Sequence, residues 1–248
     1  MKSLLQNLDR FMQRYWLTSS IVGISIILAT SALAEYQKPT TTSAPNSETT
    51  TSTATRGGCL AQEDSNLTAI APYSHVGQTA STYPTFAWFV PDAENFPLEF
   101  QLEQYTDNSQ LETIYQQKLS STPGIMSLSL PQDSPGLTVG QKYRWKIVMR
   151  CTRYRAVVTM AEIEVVAPSS KAKTAFNKVT GTSQQANFLA EMGLWYDALG
   201  TTFNADFQQW QLQSQLIQEL AAVEEKYSNF SEVRRQAEKL IAISDRLQ

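Results

Sequence analysis

Between Lys142 and Cys151 the chain alternates: Tyr143, Trp145, Ile147, Met149 and Cys151 are interleaved with Lys142, Arg144, Lys146, Val148 and Arg150. A period of two sends successive side chains to opposite faces of an extended strand, so this segment must bury one face and wet the other. Leu98, Phe100 and Leu102 alternate with Glu99, Gln101 and Glu103 in the same way, and Met126, Leu128 and Leu130 with Ser127 and Ser129. Further strands are expected at Leu67 to Ala71, Thr85 to Val90, Glu112 to Leu119 and Val157 to Val165, making seven. The breaks between them carry turn chemistry, at Pro91-Asp92, Asp107-Asn108, Pro123-Gly124 and Ser134-Pro135-Gly136.

Seven short strands within residues 57–168 predict an antiparallel β-sandwich of immunoglobulin or fibronectin III character, the first part of an α+β chain. The run Leu137 to Ile147, LTVGQKYRWKI, resembles the corner of fibronectin type III domains, where a tyrosine opening a strand bonds back to the preceding loop. Tyr143 is the matching residue, and Trp145 follows on the core face. After Pro168 the period turns helical, giving an extension over residues 171–248. Val233, Ala237, Leu240, Ile241, Ser244 and Leu247 share a helical face behind a start signal at Asn229 and Glu232. Asp206 and Gln209 precede a second helix through Trp210, Leu216, Leu220 and Val223. Ala186, Leu189, Gly193, Trp195, Ala198 and Ala205 have the spacing of one tetratricopeptide helix pair, but no copy follows, so a single helical hairpin is expected.

The amino terminus constrains location. Lys2, Arg10 and Arg14 precede an uncharged stretch from Tyr15 to Leu33 that ends in Ala32-Leu33-Ala34, the pattern of a secretory signal over residues 1–34. The stretch is also long enough to cross a bilayer, so a cleaved signal and an uncleaved membrane anchor both stand. In either case the remainder is expected outside the cytoplasm, periplasmic or extracellular, or held at the inner membrane facing the periplasm. Residues 35–56, with eight Thr and three Ser, read as a tether. In an oxidising compartment the two cysteines, Cys59 and Cys151, are expected to form a structural disulfide, since no C-x-x-C spacing marks a reactive pair.

Composition narrows function mainly by exclusion. With 20 Lys plus Arg against 23 Asp plus Glu, the chain lacks the basic excess of a nucleic-acid binder. One histidine, His75, has no metal-ligand spacing around it, and neither a metal nor a cofactor is expected. Glu99 and Glu103 share a strand face at about 13 Å, too far apart for a glycosidase carboxylate pair. Six basic residues between Lys142 and Arg155 attract attention. Pairing Trp145 with Ile163 would set Lys146 against Glu162 and Arg144 against Glu164, leaving Arg150, Arg153 and Arg155, with Arg56 brought near by the disulfide, as a candidate anion or partner contact. Phe89, Trp195 and Tyr196 are candidate aromatic contacts, with burial by the helical part as the competing expectation for Phe89.

RGGCL at Arg56 to Leu60, PTFAWFVP at Pro84 to Pro91 and GLWYDAL at Gly193 to Leu199, in this order and spacing, resemble the cyanobacterial family catalogued as domain of unknown function 928. The resemblance extends over PGIMSLSLP, the YRW strand and the Trp210 helix, and it implies an exported protein without assigned catalytic residues. The expectation is therefore a non-enzymatic binding or scaffolding protein of the cell envelope, its partner an envelope protein or polysaccharide. Its membrane contact would be limited to an uncleaved amino terminus. A carbohydrate-binding module for envelope polysaccharide is the alternative, and an envelope hydrolase the outsider.

Overall fold

A computed structural model describes residues 35–45, 59, 67–91, 93–106, 108–203, 209–227 and 230–247. Residues 1–34, Arg56, Asp92, Asp107, Ala205, Asp206 and Asn229 lie outside the described residues. The chain is mixed α+β. Its strands are β1 (Thr68–Ala69), β2 (Gly77–Thr79), β3 (Thr85–Val90), β4 (Pro97–Tyr105), β5 (Leu111–Ser120), β6 (Gly124–Ser129), β7 (Lys142–Arg150) and β8 (Ala156–Val165). The helices are α1 (Ser170–Phe176), α2 (Thr182–Glu191), α3 (Trp195–Gly200), α4 (Gln209–Lys226) and α5 (Ser231–Asp245), with a 3₁₀ turn at Thr201–Phe203.

Two sheets form, a three-stranded one in the order β1-β3-β6 and a five-stranded one in the order β2-β8-β7-β4-β5. This corrects the expectation of seven antiparallel strands: the described residues hold eight, and β2 runs parallel to β8. The extra strand, Gly-Gln-Thr, is too short and too polar to show alternation, and its pairing with Ile163–Val165 creates it. The inner faces meet through rings: Phe86 of β3 lies 5.0 Å from Phe100 of β4 and 5.5 Å from Trp145 of β7. Tyr143 is buried, and its hydroxyl accepts a hydrogen bond from the Thr138 amide at 2.9 Å, the corner contact read from the sequence.

The β7–β8 register differs from the expected one by two residues. Tyr143, not Trp145, stands opposite Ile163, and Trp145 faces Ala161. A slip of two preserves the faces. The connection sets it: Arg150 pairs with Ala156, and the Cys151 and Thr152 amides both donate to the Arg155 carbonyl, closing a shorter turn than apolar matching suggests. Arg144 and Lys146 consequently do not bond Glu164 and Glu162. Both reach Glu103 on β4 at 2.7 Å, while Glu164 accepts from Gln78 and Glu162 from Tyr105.

Helices cover the smaller sheet and close one side of the β layers. Phe89 is buried, with the Arg246 guanidinium 5.3 Å from its ring centre. Trp195 and Gln236 donate to the carbonyls of Ile70 and Ala69, each at 3.0 Å. Val233, Ala237, Leu240 and Ile243 of α5 are buried, as are Leu216, Leu220 and Val223 of α4. Trp210, at the start of α4, is instead 59% exposed. The tether reading fails for residues 35–45: Tyr36 is fully buried and the segment hydrogen-bonds to the body. Composition averages cannot register one aromatic anchor with a matched polar partner.

Candidate functional site

The helix α2 is capped by Met192 and followed by Gly193, whose φ of +75° turns the chain into α3. A side chain there would strike Pro39 and the Gln37 carbonyl, so glycine serves both the turn and the close approach of the amino-terminal segment. The turn projects Trp195 and Tyr196 inward. Trp195, Tyr196 and Phe89, candidates for surface contact, are all core: their exposures are 0%, 1% and 7%. Large rings surrounded by other rings are worth more buried than displayed.

Beside Tyr196 the same elements line a half-open cavity of about 360 Å³. Phe176 of α1 and Phe188 of α2, 5.9 Å apart, line it with Leu189 and Leu194, facing Tyr83 and Pro84 of the β2–β3 loop. Its lining also includes Lys173 and the half-exposed Met192. Asp197 contributes a carboxylate. Its carboxylate accepts from the Ala80 amide at 2.7 Å and is also bonded by the Thr79 hydroxyl and Ser81 amide, so it pins the loop that forms one cavity wall. Burial nevertheless raises its pKa to about 6. Sequence reading missed this site because its lining comes from three helices and a loop; Leu194, Tyr196 and Asp197 lay within GLWYDAL and Pro84 and Thr85 within PTFAWFVP, but neither string shows that the two come together.

A second polar cluster lies under the amino-terminal segment. The Tyr36 hydroxyl and His75 Nε2 are 2.8 Å apart, His75 Nδ1 and Ser74 Oγ 2.9 Å, and Ser74 Oγ donates to Glu224 at 3.1 Å. Histidine, serine and carboxylate thus meet, although His75 looked partnerless in sequence. The order is wrong for nucleophilic activation, which needs the acid behind the histidine and the serine in front. Here Glu224 holds Ser74 and accepts the Tyr73 and Ser74 amides, and Tyr36 occupies the other ring nitrogen. The cluster locks a loop. Burial drives the His75 pKa down to about 3 and that of Glu224 up to about 7, so at neutral pH the 3.9 Å approach between them is not an ion pair.

These shifts have a sign. The folded chain holds the Glu224 proton more tightly than the unfolded chain, so this group's contribution is fully present below pH 4.5 and is lost as pH rises to about 7. Asp197 acts likewise between 3.8 and about 6, whereas His75 opposes both, its contribution being lost as pH falls from 6.5 to about 3. Glu224→Gln should therefore gain on the parent protein between pH 4.5 and 7, on the order of 1–3 kcal/mol, in urea unfolding curves taken across that range. Parallel stability profiles would reject the assignment.

The disulfide joins Cys59 and Cys151, tying the chain before β1 to the end of β7. Arg150 and Arg153 are exposed in or beside the following turn and Arg155 is half-buried; Arg153 lies 5.7 Å from the exposed Tyr154 ring. Among the described residues no group of three or more His, Cys, Asp and Glu comes together as a metal site, and no helix is long and apolar enough to cross a membrane.

Two facing sheets, a covering helical layer and one disulfide define a disulfide-bonded α+β protein with a cavity at the sheet–helix junction. A family model described as Domain of Unknown Function (DUF928) matches residues 51–240, and the chain belongs to that family. No curated protein matches the sequence. Among solved structures, a β-1,2-glucanase from Parabacteroides distasonis is similar at 9% identity and a TM-score of 0.25, over 74% of this chain and 34% of that one. A Bacteroides uniformis β-glucuronidase 2 is similar at 9% identity and 0.23, over 67% of this chain and 30% of that one. The chain thus spans about a third of these enzymes, and likeness at that level carries no argument about activity.

Proposed function

We propose that this protein is an exported, non-enzymatic binding module of the cell envelope, an immunoglobulin-like sandwich extended by helices, whose cavity beside Tyr196 takes the apolar part of its ligand. The cavity carries the reading: about 360 Å³ falls within the range of small-molecule sites, roughly 300–1,000 Å³, and its lining is predominantly apolar with a few polar groups at fixed positions. Lys173 is a cation on a mostly apolar lining whose carboxylate, Asp197, is already taken up by the Ala80 and Ser81 amides and the Thr79 hydroxyl, which favours an amphipathic ligand with an anionic end. The disulfide supports the extracytoplasmic setting. The carbohydrate reading relied on Phe89 and Trp195 at the surface, and their burial removes its residues.

The probe is 1-anilinonaphthalene-8-sulfonate, an apolar ring system with one anionic group. The folded protein should bind one equivalent with micromolar affinity. Met192→Trp, a change at a half-exposed position on the cavity lining, should weaken binding at least tenfold without changing the melting temperature, since about 1.4 kcal/mol suffices for that factor. Equal binding by the two proteins would place the ligand elsewhere and defeat the cavity assignment.

A further inference from the structure

The polar side chains that line the cavity beside Tyr196 are already engaged within the fold. The Tyr196 hydroxyl accepts from Trp145 Nε1 at 2.8 Å and donates to the Glu162 carbonyl at 2.9 Å. The Thr85 hydroxyl pairs with that of Ser129 at 2.8 Å, and the Thr201 hydroxyl donates to the Ala198 carbonyl at 2.8 Å. Ser81 Oγ accepts the Tyr83 amide at 3.0 Å, and the Asp197 carboxylate is taken up by Thr79 and the Ala80 and Ser81 amides. The Tyr83 hydroxyl lies against Gly136, and Pro84 and Pro168 bring no amide to the wall. Among the lining side chains this leaves hydrocarbon, the Met192 thioether and one cation. That cation is Lys173 of α1, an exposed residue that forms no ion pair among the described residues.

A site for a sugar, peptide or nucleotide aims unpaired donors and acceptors at its ligand, because a ligand polar group buried without a partner forfeits its hydration. A half-open apolar pocket with one exposed charge suits the opposite kind of molecule, a featureless hydrocarbon ending in an anion. Volume sets the length. At about 30 Å³ for a methylene, close to the share of a water in the liquid, about 360 Å³ holds about twelve carbons. We propose that the cavity takes one straight acyl chain, of a free fatty carboxylate or of a single-chain anionic lipid, with the anionic head at Lys173. The chain buries by the hydrophobic effect alone, and the Lys173 ammonium fixes which end faces water. The proposal rests on the cavity being the ligand site and names the class of ligand it takes.

Chain length and head charge are the measurements. Straight-chain carboxylates from hexanoate to hexadecanoate, each below its micelle concentration, compete with 1-anilinonaphthalene-8-sulfonate for the folded protein. Each methylene added up to dodecanoate should tighten binding about fourfold, and hexadecanoate should gain no more than about threefold over dodecanoate. Lys173→Glu, at an exposed position, should weaken dodecanoate by about tenfold or more while leaving uncharged dodecanol within about twofold and the melting temperature unchanged. Dodecanoyl lysophosphatidylglycerol run beside dodecanoate tells the two sources apart, and displacement by either supports the assignment. Affinity that ignores chain length, or that climbs undiminished through hexadecanoate, overturns it, as does a Lys173→Glu protein that treats dodecanoate and dodecanol alike. If Met192→Trp weakens the dye but no carboxylate or lysolipid displaces it, the acyl assignment falls alone. If Met192→Trp leaves dye binding unchanged, the cavity reading falls and takes this inference with it.

Discussion

Replacing Cys59 and Cys151 together by Ser should lower the stability of the folded chain by about 4–5 kcal/mol, the chain-entropy value for a loop of this length, because the bridged residues are 92 positions apart. The loop encloses β1 through β7, so the bond restricts most of the β region in the unfolded ensemble. Folded-state packing at the bridge adds little to the estimate: Cys59 is buried but Cys151 only partly. For a chain of this size a loss of 1 kcal/mol shifts the melting temperature by about 2–4 °C, so the double variant should melt at least 8 °C below the parent in calorimetry. A shift under 3 °C would mean that the open chain is already as restricted as the bridged one, and that the bridge does not stabilise the β layers. Reduction without mutation should reproduce the result if excess reductant is present throughout the melt, so that Cys59 and Cys151 stay free thiols.

The strands were legible because their energetics are local to a face. Thr85–Val90 appears with the bounds expected from the aromatic run, and the alternating segments at β4, β6 and β7 differ by one or two residues at their ends. The corner tyrosine was legible for the same reason, its partner lying five residues away. What escaped sequence reading depends on long-range partners. Glu103 was set aside as half of an unsuitable carboxylate pair, yet it gathers both Arg144 and Lys146, and those hydrogen bonds and charges outweigh burial to lower its pKa. Tyr36 lay in a Thr-rich stretch whose composition argued for solvent, and only the proximity of His75 and Trp195 shows why it is buried. The cavity escaped for the same reason: no helix that lines it is amphipathic in a way that announces a void. The register error has its own cause. Matching Trp145 with the large Ile163 optimises one pair, but the chain sets Ala161 opposite Trp145, and the smaller side chain is compatible with the approach of Tyr196.

Tyr196 joins three parts of the fold at one oxygen, and its removal should be the most damaging single change. Its hydroxyl accepts from Trp145 Nε1 of β7 at 2.8 Å and donates to the Glu162 carbonyl of β8 at 2.9 Å, while its ring lies 5.9 Å from Phe86 of β3. Burial holds the phenol well above its ordinary pKa, so it stays a neutral donor and acceptor throughout the working pH range. Tyr196→Phe keeps the ring and strands two buried groups, an indole N–H and a carbonyl. At about 1–3 kcal/mol for each unsatisfied group the loss should be about 2–6 kcal/mol. Tyr196→Ala also empties the space of the ring, and truncation of a buried aromatic costs about 3–5 kcal/mol before the polar loss is counted. Urea unfolding should therefore rank parent, Tyr196→Phe and Tyr196→Ala in descending order of stability. Because Tyr196 also lines the cavity, the alanine variant that still folds should bind 1-anilinonaphthalene-8-sulfonate differently from the parent, whereas Tyr196→Phe should not. If Phe and parent unfold at the same denaturant concentration, the hydroxyl is not the tie between the helical layer and the larger sheet, and the helices are held by ring packing alone.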